Sequence, residues 1–155
     1  MEDKKKKVTI VTFFTMIKLM VKYEILEHKA DLKIRVFGKK KPELFSNALS
    51  AMAENMKPEI EKLEKRSKRK FWIKSSNLSN LLVDFLSEIL YLSQINKEVY
   101  GKVKFEKFSN TELKGELFGR KVKRFGEDIK AVTYHALDIH QKKDGRWEAT
   151  LLFDI

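Results

Sequence analysis

The spacing of the apolar residues changes near Asn96, and this change constrains the fold more than any other feature of the sequence. Upstream of it, two stretches carry apolar residues at the spacing of three and four that is typical of an amphipathic helix. The first runs from Pro42 to Pro58, and the second begins after residues 75–77, which suit an N-cap. The second has the more apolar stripe, formed by Leu78, Leu82, Phe85, Leu86, Ile89 and Leu90. Downstream of Asn96 the period falls to two, which is typical of half-buried strands.

The alternating part predicts two antiparallel hairpins. The first spans residues 103–117 and turns at Ser109 and Asn110. The second joins residues 129–140 to residues 146–155 through Gly145, which can adopt the positive φ of a tight turn. Two strands are predicted upstream, with buried faces formed by Leu32, Ile34 and Val36 and by Phe71 and Ile73. We therefore expect an α+β protein, a two-layer sandwich in which two helices pack on one face of a mixed, largely antiparallel sheet.

The first nineteen residues stand apart from these patterns. Lys4 to Lys7 followed by the apolar residues 8–17 has the outline of a signal peptide, but no small-residue cleavage site follows. Lys18 also ends the apolar stretch well short of the roughly 18 residues that a membrane-spanning helix needs. An additional β-strand is one alternative. We expect residues 1–19 to be an extension or leader and residues 20–155 to form a single domain with no membrane association.

Composition excludes several classes of function. The chain has no cysteine, which rules out disulfides, a thiolate zinc site and a cysteine nucleophile, and permits a reducing, cytoplasmic location. The six glycines are too scattered to form a phosphate-binding loop or a dinucleotide fingerprint. His28, His135 and His140 lack the spacing of a zinc site. His135 and His140 are an odd number apart on a predicted strand, so they are expected to face opposite ways. We expect them to be surface or hydrogen-bonded histidines.

A basic excess defines one candidate binding surface. The 33 basic and 22 acidic side chains give a net charge of +11, which suits a polyanion, an acidic membrane or an acidic protein. The run from Lys62 to Lys74 contains Phe71 and Trp72, and basic residues mixed with aromatics are typical of single-stranded nucleic-acid grooves. A solvated face with the aromatic rings turned inward explains the same residues.

Two aspartates form the other candidate site. Asp31 belongs with Lys33 on the polar face of its strand, because the buried residues there are even-numbered. Asp154 likewise opposes the face that carries Leu151 and Phe153, and it adjoins the carboxylate of Ile155. These groups are hard oxygen ligands of the kind that calcium prefers. Spacing alone does not bring them together, so solvated surface acids remain the alternative.

Four blocks of sequence, taken in order, resemble the archease family. They are Glu27-His28-Lys29-Ala30-Asp31, the helix segment 81–92, the segment 129–137 with Lys-Ala-Val-Thr-Tyr-His, and Phe153-Asp154-Ile155. The resemblance covers about residues 20–155. Lys29 stands where the family commonly has threonine, and Ala136 stands where it commonly has glycine. These departures leave both aspartates in place.

The resemblance implies a non-catalytic accessory protein. Archeases activate the RtcB-type RNA ligase of tRNA splicing by promoting guanylylation of its active-site histidine and multiple turnover, so tRNA is an indirect partner. By motif match, Asp31, Asp154 and Ile155 would hold a divalent metal, calcium before magnesium or manganese. Asp31, Lys130 and Asp154 would act on the ligase. No small-molecule substrate is implied. The alternative is a direct RNA-binding or chaperone-like module for RNA-processing enzymes.

Overall fold

The computed structural model describes residues 21–62 and 65–155, without the side chains of residues 135 and 136. Its helices are α1 (Lys41–Asn55) and α2 (Leu78–Asn96). Its strands are β1 (Tyr23–His28), β2 (Asp31–Gly38), β3 (Pro58–Ile60), β4 (Arg66–Lys74), β5 (Glu98–Phe108), β6 (Glu112–Phe125), β7 (Ala131–Gln141) and β8 (Trp147–Asp154). The predicted helices and hairpins all form, and the expectation for residues 1–19 lies outside the described residues.

Local signals explain where the helices begin and end. Pro42 lies in the first turn of α1, where its missing N–H costs nothing. Asn77 caps α2, because its side-chain oxygen accepts a hydrogen bond of 2.8 Å from the backbone N–H of Asn80. Lys97 ends α2 in the left-handed conformation, with φ at 51°. Neither described helix has the length and apolar composition needed to cross a bilayer.

The described strands form two antiparallel sheets, whereas the sequence predicted one mixed sheet. The first has the order β1-β2-β8-β7. In the second sheet, the long strand β6 is central. Its residues 112–121 pair with β4 on one edge and with β5 on the other, and its residues 122–125 pair with the short strand β3. Periodicity identifies a strand and its buried face but not its partners, so one sheet and two sheets give the same pattern. The α+β class is confirmed.

One core joins both helices to both sheets. It contains the even-numbered residues of β2 and the apolar stripe of α2, as predicted. Phe85 is fully buried, and its ring lies 5.6–5.8 Å from those of Phe45, Phe71 and Phe105. Because the core takes one face of each sheet, the opposite faces are left for polar residues.

Candidate functional site

Asp31 and Asp154 lie directly opposite each other in neighbouring strands. Asp31 begins β2, Asp154 ends β8, and the two residues are register partners. Partners in an antiparallel pair project to the same face of the sheet. That face is the one turned away from the core, because Leu32 and Phe153, the next pair along, are buried in it. The sequence predicted each face correctly but could not predict the pairing.

The carboxylates of this pair have no counterion in the described part of the chain. Asp31 is half-buried and Asp154 is exposed. Among the described residues, neither side chain forms a hydrogen bond or an ion pair. Like charges directly opposite each other in a sheet are destabilising. The pair therefore favours a cation or a cationic group of a partner.

Lys130 and Ile155 complete the predicted group of residues at this end of the sheet. The backbone N–H of Lys130 donates a 2.7 Å hydrogen bond to the carbonyl oxygen of Asp154, and the Lys130 side chain is exposed. Ala131, the next residue, is the register partner of Asp154 on the β7 side. Ile155 packs its side chain against the core. Asp31, Asp154 and Lys130 thus come from three adjacent strands or their ends.

A hydrogen-bonded group that links β7 to α2 was not predicted as a unit. Tyr134 of β7 and Ser75 both donate to the carboxylate of Asp84, which lies in the second turn of α2. The hydrogen bond to that carboxylate raises the pKa of the Tyr134 phenol above its ordinary value. One sequence feature could have drawn attention to Asp84. It is a charged residue between residues that are buried in the core, Leu82 and Val83 before it and Phe85 and Leu86 after it.

The register of β7 shifts where this group attaches. Thr133 pairs with Leu152, but Asp138 already pairs with Thr150, so the intervening residues form a bulge. The bulge breaks the alternation on which the predicted opposite orientation of His135 and His140 depended. His140 is a surface residue that contacts Asp138 at 2.9 Å and Glu148 at 2.8 Å, as predicted for a hydrogen-bonded histidine.

The donor set at the paired aspartates suits a hard cation. It offers two carboxylates, and the family resemblance implies main-chain oxygens at Ile155, the next residue, as further ligands. Oxygen ligands without nitrogen or sulfur fit calcium, magnesium or manganese better than zinc. In residues 21–62 and 65–155, no three His, Cys, Asp or Glu side chains form a metal-binding cluster. The described residues near the pair would therefore supply only part of a coordination sphere, and further oxygens could come from water or a partner.

Residues 66–74 of the basic run form β4, and its two aromatic residues point in opposite directions. Phe71 is buried in the core, whereas Trp72 is 61% exposed on the other face. Arg69 points to the same side as Phe71 and pairs with Glu98 at 3.2 Å. The expectation of aromatics turned inward is therefore right for Phe71 and wrong for Trp72, since adjacent strand residues face opposite ways.

Comparison with known proteins identifies the family. The model of the Archease protein family matches residues 23–155. The chain belongs to the archease family. The protein archease of Methanosarcina barkeri is 37% identical over 141 residues, which are 86% of this chain and 95% of that relative. The archease of Pyrococcus furiosus is 36% identical over 143 residues, which are 88% of this chain and all of that relative.

Solved structures agree with the archease fold. The solution structure of protein 1598 of Methanobacterium thermoautotrophicum superposes with a TM-score of 0.62 at 27% identity and covers 86% of this chain and 99% of that one. The crystal structure of the archease and possible chaperone of Thermotoga maritima gives the same TM-score at 22% identity, which supports the fold alone.

The four archease-like blocks meet in space. The register pair of Asp31 and Asp154 joins the first block to the last, and the backbone hydrogen bond from Lys130 joins the last to the third. The hydrogen bond from Tyr134 to Asp84 joins the third to the second. The four blocks are therefore linked through the first sheet and α2, although Asp31 and Asp154 lie on the outer face of that sheet and Asp84 lies on the helix that packs on its core side.

Proposed function

We propose that this protein is a non-catalytic activator of an RtcB-type tRNA-splicing RNA ligase, acting in the cytoplasm and promoting guanylylation of the ligase histidine. Family membership supports the proposal. The observation that carries it is the unneutralised pair of Asp31 and Asp154, with Lys130 attached to its edge. An exposed site where the first and last family blocks pair and the third is attached is suited to act on a partner rather than to hold a substrate.

The aspartate pair, together with main-chain oxygens at Ile155, would hold a divalent cation, calcium before magnesium or manganese. When bound, such an ion supplies positive charge and oxygen coordination at the surface. Asp31 and Asp154 orient that charge, because their backbones are fixed by strand pairing. The Lys130 side chain is free to extend beyond the sheet end and contact the ligase.

A single-turnover assay tests the activator role. Guanylylation of the cognate ligase is measured with and without this protein in the absence of RNA, which separates an effect on the enzyme from an effect on substrate. We expect stimulation by the wild type and none by Asp31→Ala or Asp154→Ala, while circular dichroism shows both variants folded. Asp138→Ala is the matched control, because this acid is exposed on β7 and contacts His140 rather than another carboxylate.

Calorimetry with calcium, magnesium and manganese separates metal binding from ligase activation. We expect both aspartate variants to lose binding, and Lys130→Ala to keep it while stimulating the ligase less. If both aspartate variants stimulate as the wild type does, the assigned site is wrong. In that case the chaperone-like or RNA-binding role becomes the better explanation.

A further inference from the structure

The second sheet presents a cationic face on the side opposite the core. In β4 every second residue points outward, and these residues are Arg66, Lys68, Lys70, Trp72 and Lys74, all of them exposed. Pairing aligns Lys68 with Phe118 and Lys70 with Glu116 of the central strand β6. On the other side of β6, the same Phe118 and Glu116 pair with Lys102 and Lys104 of β5. We call this surface the basic face.

Each aromatic ring on the basic face is flanked by two lysines. The ammonium groups of Lys114 and Lys74 lie 4.3 and 4.8 Å from the centre of the Trp72 ring. Those of Lys68 and Lys102 lie 5.7 and 5.9 Å from the Phe118 ring. Cation–π attraction therefore holds positive charge around two exposed or half-exposed rings.

The lysines of the basic face exceed its carboxylates. Glu112 pairs with Lys74 and Lys107. Lys68, Lys70, Lys102 and Lys104 form no ion pair within residues 21–62 and 65–155. These four cations lie on β4 and β5, on either side of β6, and they outnumber Glu116, the carboxylate between them. They repel one another, and a polyanion would remove that repulsion.

We propose that the basic face binds single-stranded RNA, with bases stacked on Trp72 and Phe118 and phosphates held by the surrounding lysines. Phosphate binding explains the lysines, and stacking explains a large ring left 61% exposed between two of them. A sheet whose surface aromatics stack two or three bases is an established mode of RNA recognition. Duplex RNA hides its base faces and could not use the rings.

The layout of the basic face fits a strand of several nucleotides. Phe118 lies opposite Lys68, four residues along β4 from Trp72, so strand geometry separates the two rings by roughly 14 Å. A groove of about 730 Å³ opens beside the face, and Lys68, Lys102 and Phe118 form part of its wall. RNA could therefore run from Trp72 toward the groove. The basic face is on the second sheet and shares no residue with the aspartate pair.

Fluorescence anisotropy with a labelled 15-nucleotide oligouridine tests the proposal without any ligase, so its result is independent of the activator role. Trp72→Ala should weaken binding about 5- to 150-fold, since stacking contributes about 1–3 kcal/mol per base. Trp72→Phe should recover most of the affinity. Tyr91→Ala is the matched control, because Tyr91 is 57% exposed on α2, and it should change affinity less than twofold.

The salt dependence tests the lysines. Four phosphate contacts predict a slope of about −3 for log K against log salt, and Lys68→Glu with Lys102→Glu should reduce its magnitude by about 1.4. Lys39→Glu with Lys143→Glu changes net charge equally at exposed sites elsewhere and should leave the slope nearly unchanged. Arg69 is kept in all variants because it pairs with Glu98 inside the sheet.

Direct stacking has a spectroscopic signature. The chain has two tryptophans, so in a Trp147→Phe background the emission comes from Trp72 alone and should be quenched by oligouridine. The proposal is overturned if Trp72 emission is unaffected, if both lysine pairs weaken binding equally, or if duplex RNA binds as tightly as oligouridine. It is also overturned if polyglutamate of matched length competes as well as RNA, which would indicate an acidic protein partner.

Discussion

Replacing Asp154 by asparagine should stabilise the metal-free protein while it abolishes ligase stimulation. The two β-carbons of a directly opposed pair lie about 4.5–5.5 Å apart. At 5 Å, Coulomb's law gives a repulsion of about 0.8 kcal/mol with the dielectric constant of water and about 3 kcal/mol with an effective value of 20. Because Asp154 is exposed and Asp31 is half-buried, we expect about 1 kcal/mol.

Thermal unfolding in EDTA measures this gain. For a domain of this size, 1 kcal/mol corresponds to an increase in Tm of about 2–4 °C. Asparagine has nearly the same shape as aspartate, so little packing is lost. The gain should shrink at high salt, since screening weakens the repulsion between exposed charges. Asp138→Asn should give no gain, because Asp138 faces His140 rather than a carboxylate.

In calcium, the wild type should become more stable than Asp154→Asn, the reverse of the order expected in EDTA. A ligand present at one hundred times its Kd stabilises the folded state by about 2.7 kcal/mol, and only the wild type should receive this increment. The reasoning fails if Asp154→Asn is less stable than the wild type in EDTA. That result would mean that the carboxylate already has a favourable partner, and the pair would not need a cation.

Three further predictions concern residues that support the fold or the site. Phe85→Ala should lower the free energy of unfolding by about 3–5 kcal/mol in urea titrations, because a fully buried ring is removed. Burial alone would raise the pKa of Glu98, but hydrogen bonds, the one from Arg69 foremost, lower this pKa overall. The Glu98 carboxylate should therefore stabilise the fold above about pH 4.3, and this stabilisation should be lost as the pH falls further. Glu98→Gln should therefore reduce the acid dependence of stability. Asp84→Asn should bring the raised pKa of Tyr134 back toward its ordinary value in an ultraviolet pH titration.

The sequence was informative wherever one strand face is buried. The alternation of Leu32, Ile34 and Val36 with charged residues placed Asp31 on the outer face, and the structure agrees. The same logic placed Asp154. What it could not predict was that the first of these strands pairs with the last, because pairing over more than one hundred residues depends on the whole core rather than on local period.

Two strands, β1 and β3, were not predicted from the sequence, because they bury too few residues to produce an alternating apolar pattern. In β1 five of the six residues are exposed, and β3 has only three residues. Neither offers the apolar alternation that predicts a strand. The bulge in β7 could not be predicted from the sequence either, because a bulge is defined by how a strand pairs with its partner strand. Asp84 was visible in the sequence, but its partner Tyr134 is fifty residues away.

Asp154 is the last residue of β8, and two contacts hold this strand end in place. A strand end frays unless it is held by packing or hydrogen bonds. Here the side chain of Ile155 packs against the core, and the carbonyl of Asp154 accepts a hydrogen bond from the N–H of Lys130. Both contacts use groups that point away from the carboxylate, so they fix the backbone and leave the side-chain oxygens available. On the proposed function, Ile155 would anchor the strand end besides offering its main-chain oxygens, and the charge that acts on a partner would come from Asp31 and Asp154.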